Sequence, residues 1–260
     1  MQNTINQGSI KADDLLSRLD LLILERFPVH PFSLGVNKEN FFDLMSQYVA
    51  MSVAFPYIQA GAIHNSYRLS MQKHGKINNN VRTTAAVGAF LVWDEFGGHE
   101  LVLSQGPEAL PKLIQADHNF HSALLIQDVG NLMESNFEEV VPNDLTSKYL
   151  DRLLMGLSDP DSNNNVAHML AFERHANAMI TSLFDSIKRL FGANKAAQLP
   201  YFSAHVGCES KGEAVHVATT GAMIDNLIPE SKETEFIERC LAAYELNYEW
   251  CSDLTKPIKQ

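Results

Sequence analysis

Apolar residues along the 260-residue chain recur mostly at three- and four-residue intervals, and prolines at 28, 31, 56, 107, 111, 142, 160, 200, 229 and 257 separate the periodic stretches. Such spacing marks amphipathic helices rather than half-buried strands, which would alternate. It predicts helices over about 11–26, 38–72, 79–96, 108–135, 143–157, 164–192, 199–226 and 231–250. Pro56 should kink the second helix, because its ring removes one backbone hydrogen bond. Gly97-Gly98 and Ser158-Asp159-Pro160-Asp161 make tight connections, and the run Ser162-Asn163-Asn164-Asn165 offers caps for the helix that follows. No repeat, linker or low-complexity tract divides the chain. An all-α fold is therefore expected, a single helical domain over 11–251 between tails at 1–10 and 252–260.

Composition narrows the function. With 31 acidic against 20 basic side chains, a net charge of -11 and no long Lys/Arg cluster, the chain lacks the electrostatic footprint of a nucleic-acid binder. No segment approaches the roughly 20 apolar residues of a membrane span, and the N-terminus is polar, so neither insertion nor secretion is expected. Cys208, Cys240 and Cys251 are odd in number and form no CxxC pair, which argues against disulfides and thiolate zinc and suits a reducing cytoplasm. Histidines and carboxylates remain as abundant ligands, a set that suits iron, manganese or zinc.

Ionisable side chains on apolar stripes need a partner or a metal. Glu95 continues the stripe of Thr84, Val87, Gly88 and Leu91, and His121 centres that of Leu110, Ile114, Leu125 and Leu132, with His118 at its edge. His99 follows Gly97-Gly98 in an expected loop. Glu173 has Val166, Met169, Leu170, Ala176, Ile180 and Phe184 on its face; an internal ion pair is its metal-free alternative, though Arg174 points away. His168 and His175 occupy the neighbouring face, as supporting groups or surface residues. Over 201–225, His205, Glu209, Gly212 and His216 stand at i, i+4, i+7 and i+11, one row on a continuous helix, flanked by Tyr201 and Phe202. Glu213 is a reserve ligand some way around the helix. Three Glu and three His suffice for two iron ions with positions left open.

Several of these segments resemble the heme-oxygenase-like diiron oxidases and oxygenases, the superfamily of the chlamydial CADD protein, near the pyrroloquinoline quinone synthesis protein PqqC and the TenA thiaminases. The resemblance is carried by Trp93-Asp94-Glu95-Phe96-Gly97-Gly98, Phe120-His121-Ser122-Ala123-Leu124-Leu125, Phe172-Glu173-Arg174-His175-Ala176 and Tyr201-Phe202-Ser203-Ala204-His205-Val206-Gly207-Cys208-Glu209. Glu209 stands where the family has aspartate, and Gly212 where it has a final histidine, with His216 one turn further. The resemblance implies a bundle of about seven core helices around Glu95, His121, Glu173, His205, Glu209 and His216. His118, His99 and Glu213 are held in reserve as ligands, and His175 and Tyr201 as supporting residues. It further implies two Fe(II) ions, with Mn possible, O2 as co-substrate, an electron donor of unknown identity and a homodimer. Hydrogen would be abstracted from an aliphatic carbon of a small carboxylic acid, an amino acid before a fatty acid. Alternatives on the same fold are a metal-independent oxidase, a TenA-like hydrolase using Cys208, and an adaptor protein whose His/Glu row is structural.

Overall fold

The computed structural model describes residues 8–113, 118, 120–138, 140–206 and 211–256, and among them there is no strand. The bundle is organised around α9 (Ser162–Phe191), whose neighbours include α13 (Glu233–Leu254), α12 (Lys211–Leu227), α8 (Asp144–Leu157) and α4 (Asn79–Glu95). A second long helix, α3 (Phe41–His74), packs on α4 and α8 and runs through the buried Pro56. The remaining helices are α1 (Gly8–Arg26), α2 (Pro31–Gly35), α5 (Gly98–Gln105), α6 (Leu110–Leu113), α7 (His121–Met133), α10 (Ala193–Ala196) and α11 (Pro200–His205). Among the described residues no helix is long and apolar enough to cross a membrane.

Local chemistry sets the boundaries. Asn78 and Asn143 cap α4 and α8 by accepting from Val81 N and Thr146 N, both at 2.9 Å. Asp161, one residue ahead of the expected Ser/Asn run, caps α9 by accepting from Asn163 N at 3.1 Å. Gly75 ends α3 at φ 64°, where a side chain would be strained. Aromatic stacks lock the layers: Phe55 on Phe172 with centroids 4.1 Å apart, and Tyr149 on Trp250 at 4.6 Å. Gly156 lets α8 approach α9 so closely that a Cβ there would meet the His168 ring.

Two expected helices are broken. The stretch read as 108–135 restarts after Gly106 (φ 82°) as a short turn and the four-residue α6, and α7 begins at His121 because Phe120 is extended at φ -61°, ψ 140°. Ile114 lies outside the described residues. The helix read as 199–226 stops at His205: Val206, β-branched and followed by a glycine, is extended at φ -120°, ψ 100°, and α12 starts at Lys211. Conversely, α5 forms where a loop was expected around His99.

Six residues cannot hold a helix by themselves. α11 is held by Phe202, fully buried against Phe184, and by the Asp128 carboxylate on α7, which accepts from Tyr201 N at 3.0 Å and Phe202 N at 3.4 Å. Asp128 is itself fully buried and its Oδ1 has no partner, so burial pushes the carboxyl up to about 7 despite the two backbone donors.

Two outcomes are expected in denaturant melts. Gly156→Ala should cost about 1–3 kcal/mol by forcing the His168 ring aside; no loss would mean the helices can separate freely. The folded Asp128 binds its proton more tightly than the unfolded value of 3.8 allows, so stability is lost as pH rises from about 4 through about 7. Asp128→Asn keeps an acceptor for the α11 amides. Its stability relative to wild type should therefore improve by up to about 1.4 kcal/mol per pH unit across that window, and a difference that stays constant with pH would refute the assignment.

Candidate metal centre

Three helices deliver charged groups to one point. His216 on α12 donates through Nε2 to Asp94 Oδ2 on α4 at 2.8 Å and through Nδ1 to Glu173 Oε2 on α9 at 3.2 Å. All three are buried. Burial opposes the charged ring, but hydrogen bonds to the two carboxylates outweigh it and hold His216 protonated, up to about 11. The other Asp94 oxygen, Oδ1, lies 3.2 Å from Nδ1 of His99 on α5. Asp94 is depressed below the usual carboxylate range, since His216 and then His121 and His99 overcome its desolvation. Phe90 sets its ring edge-on to both His216 and His99.

Beside this cluster, Glu95 Oε2 lies 3.6 Å from His121 Nδ1, beyond good hydrogen-bond reach, and that buried nitrogen has no hydrogen-bond partner. Burial works against charge on both groups, yet their mutual attraction draws Glu95 down and His121 up. The His121 ring meets the His205 ring edge-on at 4.7 Å. His205 is held near 4, chiefly by burial and then by the neighbouring His121, and is therefore neutral. Its Nδ1 is 2.7 Å from the Tyr201 carbonyl, so Nδ1 carries the proton and donates, which leaves the Nε2 lone pair available. Tyr201 in turn shares a 3.0 Å hydrogen bond with Tyr48.

Glu95, Glu173, His205 and His216 line one cavity of about 40 Å³. Its other walls are Tyr48, Ser52 and Tyr201 and the apolar Met51, Phe55, Phe172, Ala176, Met179 and Ile180. At about 10–15 Å³ per water, that space holds an ion and a water or two. Among the described residues lining it there is no Lys or Arg to anchor a carboxylate.

Five of the six expected ligands thus converge, although His205 and His216 come from two helices rather than one row. Glu209 and Cys208 lie outside the described residues, as does the Glu213 side chain. His118 is exposed ahead of α7. His175 faces away from Glu173, towards His30 and Cys251. Arg174 bonds Asp20 at 2.7 Å, so the partner of Glu173 is His216, the internal ion pair that was the metal-free alternative. Asp94 escaped the sequence reading. Val81, Thr84, Val87, Leu91 and Asp94 form the buried stripe of α4, and a run of three- and four-residue steps ending at Leu91 points to Asp94 as well as Glu95.

The donor types fit iron or manganese, which favour imidazole and carboxylate. Two donors on one ion at about 2.1 Å stand roughly 3–3.4 Å apart, close to the Glu95–His121 and Glu173–His216 separations of 3.6 and 3.2 Å. The orphaned His121 nitrogen and the free His205 lone pair favour the Glu95 side. His216, satisfied through both nitrogens, must release one carboxylate before it can ligate. Among the described residues the grouping with three donor atoms within 4.8 Å of one another is a different one, at His30, His175 and Cys251.

No protein-family model matches the sequence, and no curated protein does. Two solved structures of a CADD-like protein of unknown function from Nostoc punctiforme superpose on the chain with TM-scores of 0.67 and 0.63, each at 15% identity. They cover 95% of this chain and 97% and 95% of their own. At that identity the likeness is one of architecture: the chain has an all-α fold of the CADD-like kind.

Proposed function

We propose that the protein is a non-heme iron oxidoreductase that uses O2 to oxidise an aliphatic carbon of a small molecule, on a heme-oxygenase-like bundle. The observation that carries this reading is His121 Nδ1, buried without a hydrogen-bond partner beside Glu95 and next to a neutral His205. A buried nitrogen of that kind is costly unless something binds it. Glu95, His121 and His205 would hold one ion; Glu173 and His216, with Asp94 behind them, would hold a second. Bound iron supplies the O2 activation and hydrogen abstraction that none of these side chains can perform.

The chain's own contribution is orientation and exclusion of water. The Tyr201 carbonyl fixes the His205 tautomer, and Asp128 fixes the helix that carries both residues. Met51, Phe55, Phe172, Ala176 and Ile180 provide the dry wall against which an aliphatic carbon can lie. With no Lys or Arg among the described lining residues, and with both His216 nitrogens already engaged by Asp94 and Glu173, the carboxylic acid expected from the resemblance finds no anchor there. The cavity admits a substrate only after its flexible Met side chains shift.

A metal-free bundle with a structural polar core is the second reading, favoured by the closed Asp94–His216–Glu173 pairing. One experiment separates the two. Full-length protein loaded anaerobically with Fe(II) and freed of excess metal should retain one to two ions per chain. Glu95→Gln and His121→Ala should each weaken retention by at least about tenfold. Absence of bound iron, or retention unchanged in both variants, overturns the proposal. Retention should also weaken as pH falls, because an ion must displace the proton that Glu95 helps His121 to keep; pH-independent binding would remove His121 from the ligand set. In the loaded protein, O2 uptake with a chemical reductant should fall at least about tenfold in His205→Ala, and undiminished uptake would place the chemistry elsewhere.

A further inference from the structure

On the side of α9 away from Glu173, four donors meet from three parts of the chain. His30 caps α2, His175 and Met179 lie one turn apart on α9, and Cys251 is in the last turns of α13. His30 Nε2 and His175 Nε2 are 3.3 Å apart, and the donor atoms of His30, His175 and Cys251 all lie within 4.8 Å of one another. Cys251 Sγ is 3.5 Å from Met179 Sδ. Exposure is 8% for His30, 2% for His175, 3% for Met179 and none for Cys251. The surrounding rings, Phe32, Tyr244 and Tyr248, are aromatic.

Two imidazoles, a thiol and a thioether form a soft donor set, unlike the carboxylate-rich candidate iron centre. A nitrogen–nitrogen separation of 3.3 Å matches the edge expected between two imidazoles on one tetrahedral ion, about 3.3 Å for bonds near 2.0–2.1 Å. Thiolate and thioether are soft ligands that suit Cu(I) as well as zinc, and it is the His2Cys set with a longer Met contact that is a copper arrangement. We propose that His30, His175, Cys251 and Met179 form a second, separate metal site that binds one copper ion, as Cu(I) under reducing conditions.

Without metal, His30 Nδ1 accepts from Phe32 N at 3.1 Å, so the His30 proton sits on Nε2 and points at the His175 Nε2 lone pair. Binding moves that proton to Nδ1, at the cost of one helix-cap hydrogen bond, and exchanges the Cys251 thiol proton for copper. One proton leaves per Cu(I) and no electron changes hands. Met179 also lines the cavity shared by Glu95 and His205, so the copper site lies one side chain from that cavity.

Full-length protein should be titrated anaerobically with Cu(I) against a colorimetric Cu(I) chelator, with proton release measured in weakly buffered solution. One Cu(I) per chain and one proton per Cu(I) are expected. Cys251→Ala and His30→Asn, the latter retaining a helix cap, should weaken binding by at least about 100-fold. Glu95→Gln and His121→Ala should leave it unchanged, which separates this site from the candidate iron centre whatever the fate of that reading. After oxidation the wild type should show a thiolate-to-copper charge-transfer band in the visible, shifted in Met179→Leu. Melting curves establish that each variant is folded; if one is not, the wild-type band decides alone. No bound Cu(I), unchanged affinity in the folded Cys251→Ala and His30→Asn variants, or copper bound without a thiolate band would each overturn the proposal.

Discussion

A buried imidazolium between two carboxylates joins three helices of this bundle. His216, Asp94 and Glu173 come from α12, α4 and α9, and each sits where its helix turns an otherwise apolar face inward. Removing one member would strand charge in a low-dielectric interior, which costs more than the pair contributes when intact. The three helices are thereby held in one register, and the neighbouring positions follow from it: Glu95 beside Asp94, and His99 one turn beyond on α5. Position, more than net stabilisation, is what such a triad provides.

The same helix separates two kinds of chemistry. α9 presents Glu173 to the cavity with Glu95, His205 and His216, and His175 to the opposite side with His30 and Cys251. Residues two apart on a helix point roughly 200° from each other, so one element serves a hard, carboxylate-rich cluster and a soft, sulfur-containing one without mixing them. Met179, a turn beyond His175, reaches both the Cys251 sulfur and the cavity wall. Its unbranched, polarisable side chain is suited to filling such a shared position.

α11 shows how a marginal element can carry important groups. Its six residues are held by a buried carboxylate on α7 and a buried phenylalanine, and it presents Tyr201 and His205 with little slack. The His205 ring, at the end of α11, meets His121 edge-on, while His216 comes from a separate helix rather than from the same row.

Periodicity was enough to reveal the all-α class, most helix spans, and the inward direction of Glu173, because a stripe on a helix depends only on local geometry and on the cost of burying charge; His121 and His205 were read from stripes that run across the breaks at Phe120 and Val206, and it is packing that brings them to the site. Asp94 was within reach of the same signal but lay beside Glu95, and the roughly 100° between neighbouring residues is no more than the width of an apolar stripe, which therefore does not separate the two. The breaks at Phe120 and Val206 were not legible, since propensity is a weak guide where packing and long-range anchors such as Asp128 decide the backbone. The pairing of His216 with Asp94 and Glu173, and the meeting of His30, His175, Met179 and Cys251, belong to tertiary structure alone. They join residues more than forty, and in the widest case more than two hundred, positions apart, and a single sequence carries no term for which buried faces will meet.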